Sequence, residues 1–321
     1  AIELERAVLA ADSRIAGIES VDYVDAVSYG AVVSTTGIRI AGRDGGAYLS
    51  AYALAADGDE TQTGYGWSIA RDPRALDVAA CAADAARRAT RLLGAVKPRS
   101  GRCRVVLDPF VTAQLLGIVG STLSGEAVLK GRSLFAERLG EAVAAPSITL
   151  VDDATDPAMF SATEADGEGL ATRRNVLIAG GVLQQYLHNA YTARRLGTVS
   201  TGSAVRGYNS TPGVGCLALA IEPGSMSQAE LLAHVGDGVL VQDVAGMHSG
   251  VNSVSGDFST GIEGLAIRGG ELAEPLREAT MASTLQRLLL DISLIGADVD
   301  YLPMNAMGVS LVIDDITVSG S

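Results

Sequence analysis

Between residues 21 and 70, short β-prone runs alternate with Gly and Asp turns, the pattern of an antiparallel meander. The next stretch, "RDPRALDVAACAADAARRATRLLGA", changes period and reads as a helix. Asp72 is placed to cap it, Pro73 suits its first turn and Gly94 is placed to end it. Residues 1–97 are therefore expected to form a small α+β unit. The short, basic and turn-rich "VKPRSGR" at 96–102 reads as the linker to a second domain covering 98–321.

That second domain opens with a strand, "CRVVLD", and a further Asp-Pro helix start at Asp108 and Pro109. Phe110, Val111, Leu115, Leu116, Ile118, Val119 and Leu123 give the helix a wide buried face. From residue 148 onward, strand-like runs recur between Gly-rich turns: "SITLVDD", "NVLIAGGVLQQYL", "GCLALAIEPG", "GVLVQDV", "GLAIRGGEL" and "GVSLVIDDITVSG". Gly269 and Gly270 mark a hairpin turn. "PLREATMASTLQRLLLDISLIG" predicts one more helix, from near Pro275 toward Gly296. The expected class is α+β, a small α+β N-terminal unit followed by a larger β-rich domain with a few helices.

Composition narrows the function. With 48% hydrophobic and 19% charged residues the chain can bury a substantial core. Twenty-four basic residues against 37 acidic ones give a net charge of −13, which repels a phosphate backbone. Aromatics at 4% are too sparse for a base-stacking platform, so nucleic acid is not expected as a partner. No apolar run approaches the roughly 18 residues of a membrane helix. The start lacks both Met and the basic-then-apolar order of a signal peptide, as a fragment or a processed form would. Cys81, Cys103 and Cys216 are odd in number and widely spaced, which favours a reducing, cytoplasmic location over a disulfide framework.

Candidate chemistry is thin. His188, His234 and His248 lie far apart in sequence, and no H-E-x-x-H is present. The bland readings are a structural hydrogen bond for His188 and a partly exposed helix position for His234. His248 is harder to assign, because "GMHSGVNSVSGDFSTG" is a Gly/Ser stretch that would rarely use a histidine for packing. Binding is favoured over catalysis there. No G-x-S-x-G elbow occurs, and Lys97 and Lys130 have no dry setting for a Ser/Lys dyad. Cys216, inside an apolar run, reads as a buried inert thiol. Asp152–Asp153 and Asp314–Asp315 are adjacent on strands, so each pair points to opposite faces and reads as strand-end solvation. "GYNSTPGVG" brings Asn209 and Ser210 to a Pro-Gly turn, either an ordinary hairpin or a place where an extended peptide can approach the backbone.

Three segments carry a family resemblance: "YTARRLGTVSTGSAVRG", the long run from "GMHSGVNSVSGDFSTG" to "LLLDISLIGADVD", and the closing "GVSLVIDDITVSG". They resemble the TldD/PmbA peptidases, specifically over about residues 102–321 and more loosely over 1–100, the family's middle region. The family's usual N-terminal segment is expected to be absent ahead of Ala1.

The resemblance implies a pair of related subunits. TldD-type members carry a helix with H-E-x-x-x-H and a metal, whereas PmbA or TldE members lack it and assemble with the catalytic chain. In the corresponding helix here, "DPFVTAQLLGIVGSTLSGEAVLKGRS", the ligand positions fall on Gly117, Ile118 and Thr122. The segment holds no histidine, and past the Asp108 at its start Glu126 is its sole acid. The chain thus resembles the PmbA/TldE branch, with no catalytic residue and no cofactor of its own. Zinc is expected in a TldD-like partner, and a heterodimer with that partner is expected to act on unfolded or flexible peptides. Asn209, Ser210, His248, Asn252 and Ser255 are the expected peptide- or cavity-binding residues. The alternative from a different class is a stand-alone regulatory homodimer that binds peptides or a partner, in line with the description of some family members as modulators of DNA gyrase. An independent hydrolase using His248 with a serine or Cys216 is the weakest reading.

Overall fold

The computed structural model of the chain describes residues 1–320. Helix α1 (Ile2–Ala11) buries Leu4 and Val8, one turn apart on one face. Three strands follow, β1 (Ile15–Val33), β2 (Arg39–Asp57) and β3 (Glu60–Ala70), in an antiparallel sheet of order β1-β2-β3. This is the meander that the alternation predicts. Helix α2 (Val78–Thr90) packs across it. Asp72 caps only a single 3-10 turn, Pro73–Ala75, because Leu76 returns to extended backbone. The helix proper starts later, where the Asp77 carboxylate accepts from Ala80 N at 2.8 Å.

The small residues of this unit are what bring helix and sheet together. Ala51, Ala53 and Ala55 of β2 are fully buried with Cys81, Ala85 and Ala89 of α2. On β3, a Cβ at Gly64 would lie 2.1 Å from Ala89 N, and one at Gly66 would lie 2.1 Å from Cys81 O. Only glycine permits so close a helix–sheet approach.

The C-terminal domain begins with β4 (Gly101–Leu107), α3 (Pro109–Thr122) and α4 (Gly125–Leu129). A small sheet takes β5 (Leu150–Asp153), β6 (Arg174–Ala179) and β7 (Val182–Leu183). After α5 (Ala190–Leu196) comes a two-strand ladder of β8 (Ala204–Val205) and β9 (Gly213–Val214), and then β10 (Leu219–Ile221), which joins the small sheet in the order β10-β5-β6-β7. The chain continues through α6 (Gln228–Val235), β11 (Gly238–Ala245), α7 (Met247–Gly250), β12 (Asp257–Arg268), β13 (Glu271–Thr284), α8 (Leu285–Leu290), β14 (Ile292–Ile295) and β15 (Leu311–Gly320). The main sheet has the order β13-β12-β11-β4-β15-β14. A further β13–β15 pairing curls it toward a barrel. Leu115, Leu116 and Val119 of α3 share the main core with Leu107, Val241 and Leu311 of this sheet. The architecture is α+β with a β-rich C-terminal domain, as the pattern predicts.

Two expectations need correction. The helix predicted from Pro275 toward Gly296 is mostly strand: residues 271–284 form β13 and 292–295 form β14. β13 leaves β12 through Gly269 and Gly270, at φ +56° and +87°, and is hydrogen-bonded on one side to β12 and on the other to β15. That two-sided pairing outweighs the helix propensity of "LREATMA". Only Leu285–Leu290 stays helical, with the Thr284 hydroxyl accepting from Arg287 N at 3.2 Å. The linker is also less free than its composition implies. Val96 N donates to Pro275 O at 2.9 Å, and Val96 O accepts from Arg277 N at 3.0 Å, so it is pinned to β13. Among the described residues, no helix is long and apolar enough to cross a membrane.

Candidate functional site

A cavity of about 610 Å³ opens beside α3. One wall is a single face of that helix, Ala113, Gln114, Gly117, Ile118 and Ser121, at the spacing of successive turns. Val214, Gly215, Cys216 and Leu219 form the opposite side, and Met247, His248, Met304, Asn305 and Ala306 complete the lining. Helix α3 has a one-sided reason to be here. Its buried residues Val111, Leu115, Leu116 and Val119 face the core, leaving the Gly117 side toward the opening. Gly120 seats the helix on the opposite side of the cavity, since a Cβ there would stand 2.5 Å from Cys216 Sγ. At Gly117, by contrast, a Cβ would meet nothing within 4 Å.

Two residues that the sequence places on this helix, Gly117 and Ile118, line the cavity, and His248 joins them from α7. Thr122 does not. It is 1% exposed, and its hydroxyl donates to Val119 O at 2.6 Å. Asn209 and Ser210 sit in an exposed turn, where Ser210 Oγ accepts from Gly207 N at 2.9 Å and stays local. Asn252 Oδ1 accepts from Val254 N and Ser255 N, and Ser255 Oγ donates to Asp257 Oδ2 at 2.6 Å. These four residues shape their own loops and do not line the cavity.

The residues present do not suit a zinc ion. Gly117 offers no donor, Ile118 is apolar, and the Thr122 hydroxyl is committed to the backbone. Among the described residues, no three of His, Cys, Asp and Glu gather where they could hold a metal. Cys216 lines the cavity as a half-buried residue outside any strand. Burial, and then the nearby Asp152, push its thiol well above the ordinary range, so it stays protonated and unreactive at neutral pH. His188 is 5% exposed with Nδ1 3.3 Å from Thr192 Oγ1, and burial lowers its pKa. His234 is exposed in the last turn of α6. Neither approaches the cavity lining.

Other buried groups went unread in the sequence. Asp152 is not strand-end solvation. It is 1% exposed and accepts from Leu217 N at 2.8 Å and Ala218 N at 2.7 Å, which anchors the chain just past Cys216. Burial still carries its carboxyl up to about 6. Asp243 of β11 lies directly across from Glu263 of β12. Burial, with that like charge adding to it, also brings Asp243 to about 6, while a side-chain hydrogen bond from Gln114 opposes the rise. Asp315 is exposed beside Arg102, whereas Asp314, beside Arg104, is only half-exposed.

The N-terminal unit buttresses the start of α3. Arg88 on α2 reaches Asp108, the N-cap of α3, at 3.0 Å. Its guanidinium lies 4.9 Å from the Tyr65 ring centroid and 5.6 Å from that of Trp67. Tyr65 in turn meets Phe110 at 4.6 Å and donates to Gln242 O at 2.9 Å. The helix that walls the cavity is thus gripped at its first turn by the other unit. Only the partnership of distant residues reveals this, and no local pattern marks it.

With this geometry in view, comparison with known proteins is decisive. Residues 1–93 match the PmbA/TldA metallopeptidase central domain, and residues 100–320 match the PmbA/TldA metallopeptidase C-terminal domain. The chain belongs to the PmbA/TldD family. A metalloprotease of Methanothermobacter thermautotrophicus is 28% identical over 87% of this chain and 62% of its own length. The metalloprotease PmbA of Escherichia coli O157:H7 is 27% identical over 94% of this chain and 65% of its own. The chain therefore spans less than two thirds of these PmbA/TldD relatives. Among solved structures, a proposed modulator of a DNA gyrase from Thermotoga maritima superimposes with a TM-score of 0.93 at 30% identity, covering 99% of this chain and 72% of that one. TldE from Thermococcus kodakarensis, at 23% identity, shares the fold, with a TM-score of 0.91 over 99% of this chain and 73% of its own.

Proposed function

We propose that this chain is the non-catalytic, TldE/PmbA-type subunit of a two-chain metallopeptidase acting on unfolded or flexible peptides in the cytoplasm. Zinc would reside in a TldD-type partner carrying H-E-x-x-x-H. The observation that carries the reading is the α3 wall. Gly117 and Ile118, to which the family resemblance assigns ligand positions, line the cavity, and neither side chain can bind a metal or move a proton. What remains is a walled space suited to holding substrate.

The N-terminal ribbon supports an assembled state. Strand β3 pairs with β2 only from Ala47 onward, so residues 26–33 and 39–46 run on as a two-stranded ribbon. A bare two-stranded hairpin is marginal in water. One face leans on the C-terminal domain: a Cβ at Gly46 would meet Phe160, and Gly169 lies against Val32 and Ile38. On the other face, which α1 and α2 cover only near the base, Val27, Tyr29 and Val33 are 53%, 77% and 72% exposed. Arg43 and Arg39 stand directly across from Tyr29 and Val33, and a mixed apolar and cationic face that continues past its covering helices fits a subunit contact.

The test is co-expression with an H-E-x-x-x-H chain. The expected result is a one-to-one complex with peptidase activity, from an isolated chain that binds no stoichiometric zinc and cleaves no peptide. A persistent self-dimer that ignores the partner would favour the regulatory homodimer. Chelator-resistant proteolysis by the isolated chain would overturn the proposal.

A further inference from the structure

The geometry points to the cavity beside α3 as a pocket for one neutral, apolar side chain of a peptide, of the leucine or methionine kind. This deepens the reading above and rests on it. The volume, about 610 Å³, lies within the range of sites that engulf small ligands. It exceeds what a single aliphatic side chain fills, leaving room for the flanking backbone.

The chemistry of the walls selects the occupant. Among the described residues, no Asp, Glu, Lys or Arg lines the cavity. An anionic side chain entering it would lose hydration with no cation to meet it, and would face Asp243 behind Gln114 and Asp152 behind Cys216. Ile118, Leu219, Met247 and Met304 supply the apolar contact, and the two thioethers are flexible enough to adapt to aliphatic chains of different shape. His248 and Asn305 are exposed members of the lining, so they stand at the mouth, where a peptide's amides would pass. The chain's net charge of −13 adds a general bias against acidic peptides. The open space over Gly117 is the deciding detail. Any side chain at that position would project into the cavity, so its absence is what leaves the pocket free. A family helix that carries a metal donor there would fill the same space.

The test uses the whole chain and capped pentapeptides Gly-Gly-X-Gly-Gly with X as Leu or Asp, titrated by calorimetry and ligand-observed NMR. The Leu peptide should bind at least about tenfold more tightly than the Asp peptide. Gly117→Phe, which fills the space, should weaken Leu-peptide binding by a similar factor while the urea midpoint stays put. Ser121→Trp, on the same wall, provides a second plug should the first variant unfold. Equal binding of the two peptides, or Leu-peptide binding untouched by both plugs, would overturn the inference. Pull-down of the H-E-x-x-x-H chain by Gly117→Phe separates this outcome from failure of the subunit reading. A plugged pocket should leave the complex intact, whereas a wrong subunit assignment gives no complex with either form.

Discussion

Arg88 and Asp108 meet at 3.0 Å with side chains only 7% and 5% exposed, joining α2 of the N-terminal unit to the first turn of α3. For Arg88, burial works against the charged form, but Asp108 and Tyr65 more than compensate and its pKa rises. Arg88 therefore stays ionised. Removing one partner leaves the other charged in a dry site, which typically costs about 3–5 kcal/mol. Arg88→Met should lower unfolding free energy by that order in urea titration. It should also loosen the α3 wall, raising amide exchange at Phe110 to Gln114 before global unfolding. A variant with wild-type stability would mean the pair is neutral to the fold.

Burial sets a pH dependence with an unusual sign. Asp152, Asp243 and Asp300 start from 3.8 in the unfolded chain, and desolvation raises each to about 6 in the fold. Between about pH 4 and 6 the folded state thus binds more protons than the unfolded state. Linkage then makes stability increase as pH falls through 6, levelling near 4, and decrease toward neutrality. His188, whose pKa burial lowers from 6.5, opposes this trend in the same window as one group against three, while Asp12 and Asp72, held near 2 chiefly by side-chain hydrogen bonds from Arg14 and Arg74, act the other way only below about pH 4. Urea midpoints should be higher at pH 5 than at pH 7. Asp243→Asn together with Asp300→Asn should flatten that slope. A midpoint that falls steadily from pH 7 to 5 contradicts the assignment.

The sequence discloses the parts of this molecule whose causes are local. The β1–β3 meander and the Gly269–Gly270 turn follow from alternation and turn chemistry, and Asp108–Pro109 marks the start of α3. Gly117, Ile118 and His248 reach the cavity as candidates because a motif position and an odd histidine flagged them. What stays hidden depends on pairing across the chain. β13 looks helical until β12 and β15 flank it. Asp152 looks like a strand-end acid until the backbone of Leu217 and Ala218 turns back onto it. Cys216, Met247 and Met304 meet α3 across distances no spacing rule covers. Ser210, Asn252 and Ser255 make hydrogen bonds within their own loops, and with Asn209 they lie outside the lining of the α3 cavity, which polar loop composition alone does not reveal.

The exposed ribbon face makes a prediction specific to assembly. Val27 and Tyr29 point away from the C-terminal domain, and their side chains are largely in solvent. Val27→Asp with Tyr29→Asp should therefore change monomer stability little, within about 0.5 kcal/mol for surface positions. The same pair should weaken the complex with the H-E-x-x-x-H chain by more than tenfold, since the Val27 substitution puts a carboxylate into the contact and the Tyr29 substitution removes the ring that Arg43 covers. Sedimentation of the co-expressed pair reads both effects. An undisturbed one-to-one complex would place the contact on another surface.

Glycine substitutions separate positions that are needed for packing from one that is merely empty. At Gly66 an alanine methyl would sit 2.1 Å from Cys81 O and 2.9 Å from Ala85 N, both backbone atoms of α2 that cannot step aside alone. Gly66→Ala should push α2 off the sheet and cost on the order of 1–3 kcal/mol, as overpacking does. Gly117 lies within α3 at an ordinary φ with nothing near its Cβ position. Gly117→Ala should instead stabilise the helix by about 0.5–1 kcal/mol. Paired thermal melts of the two variants would show opposite shifts. If Gly117→Ala also destabilised the chain, the space over α3 would be filled in solution, and the cavity would lose its basis as a site.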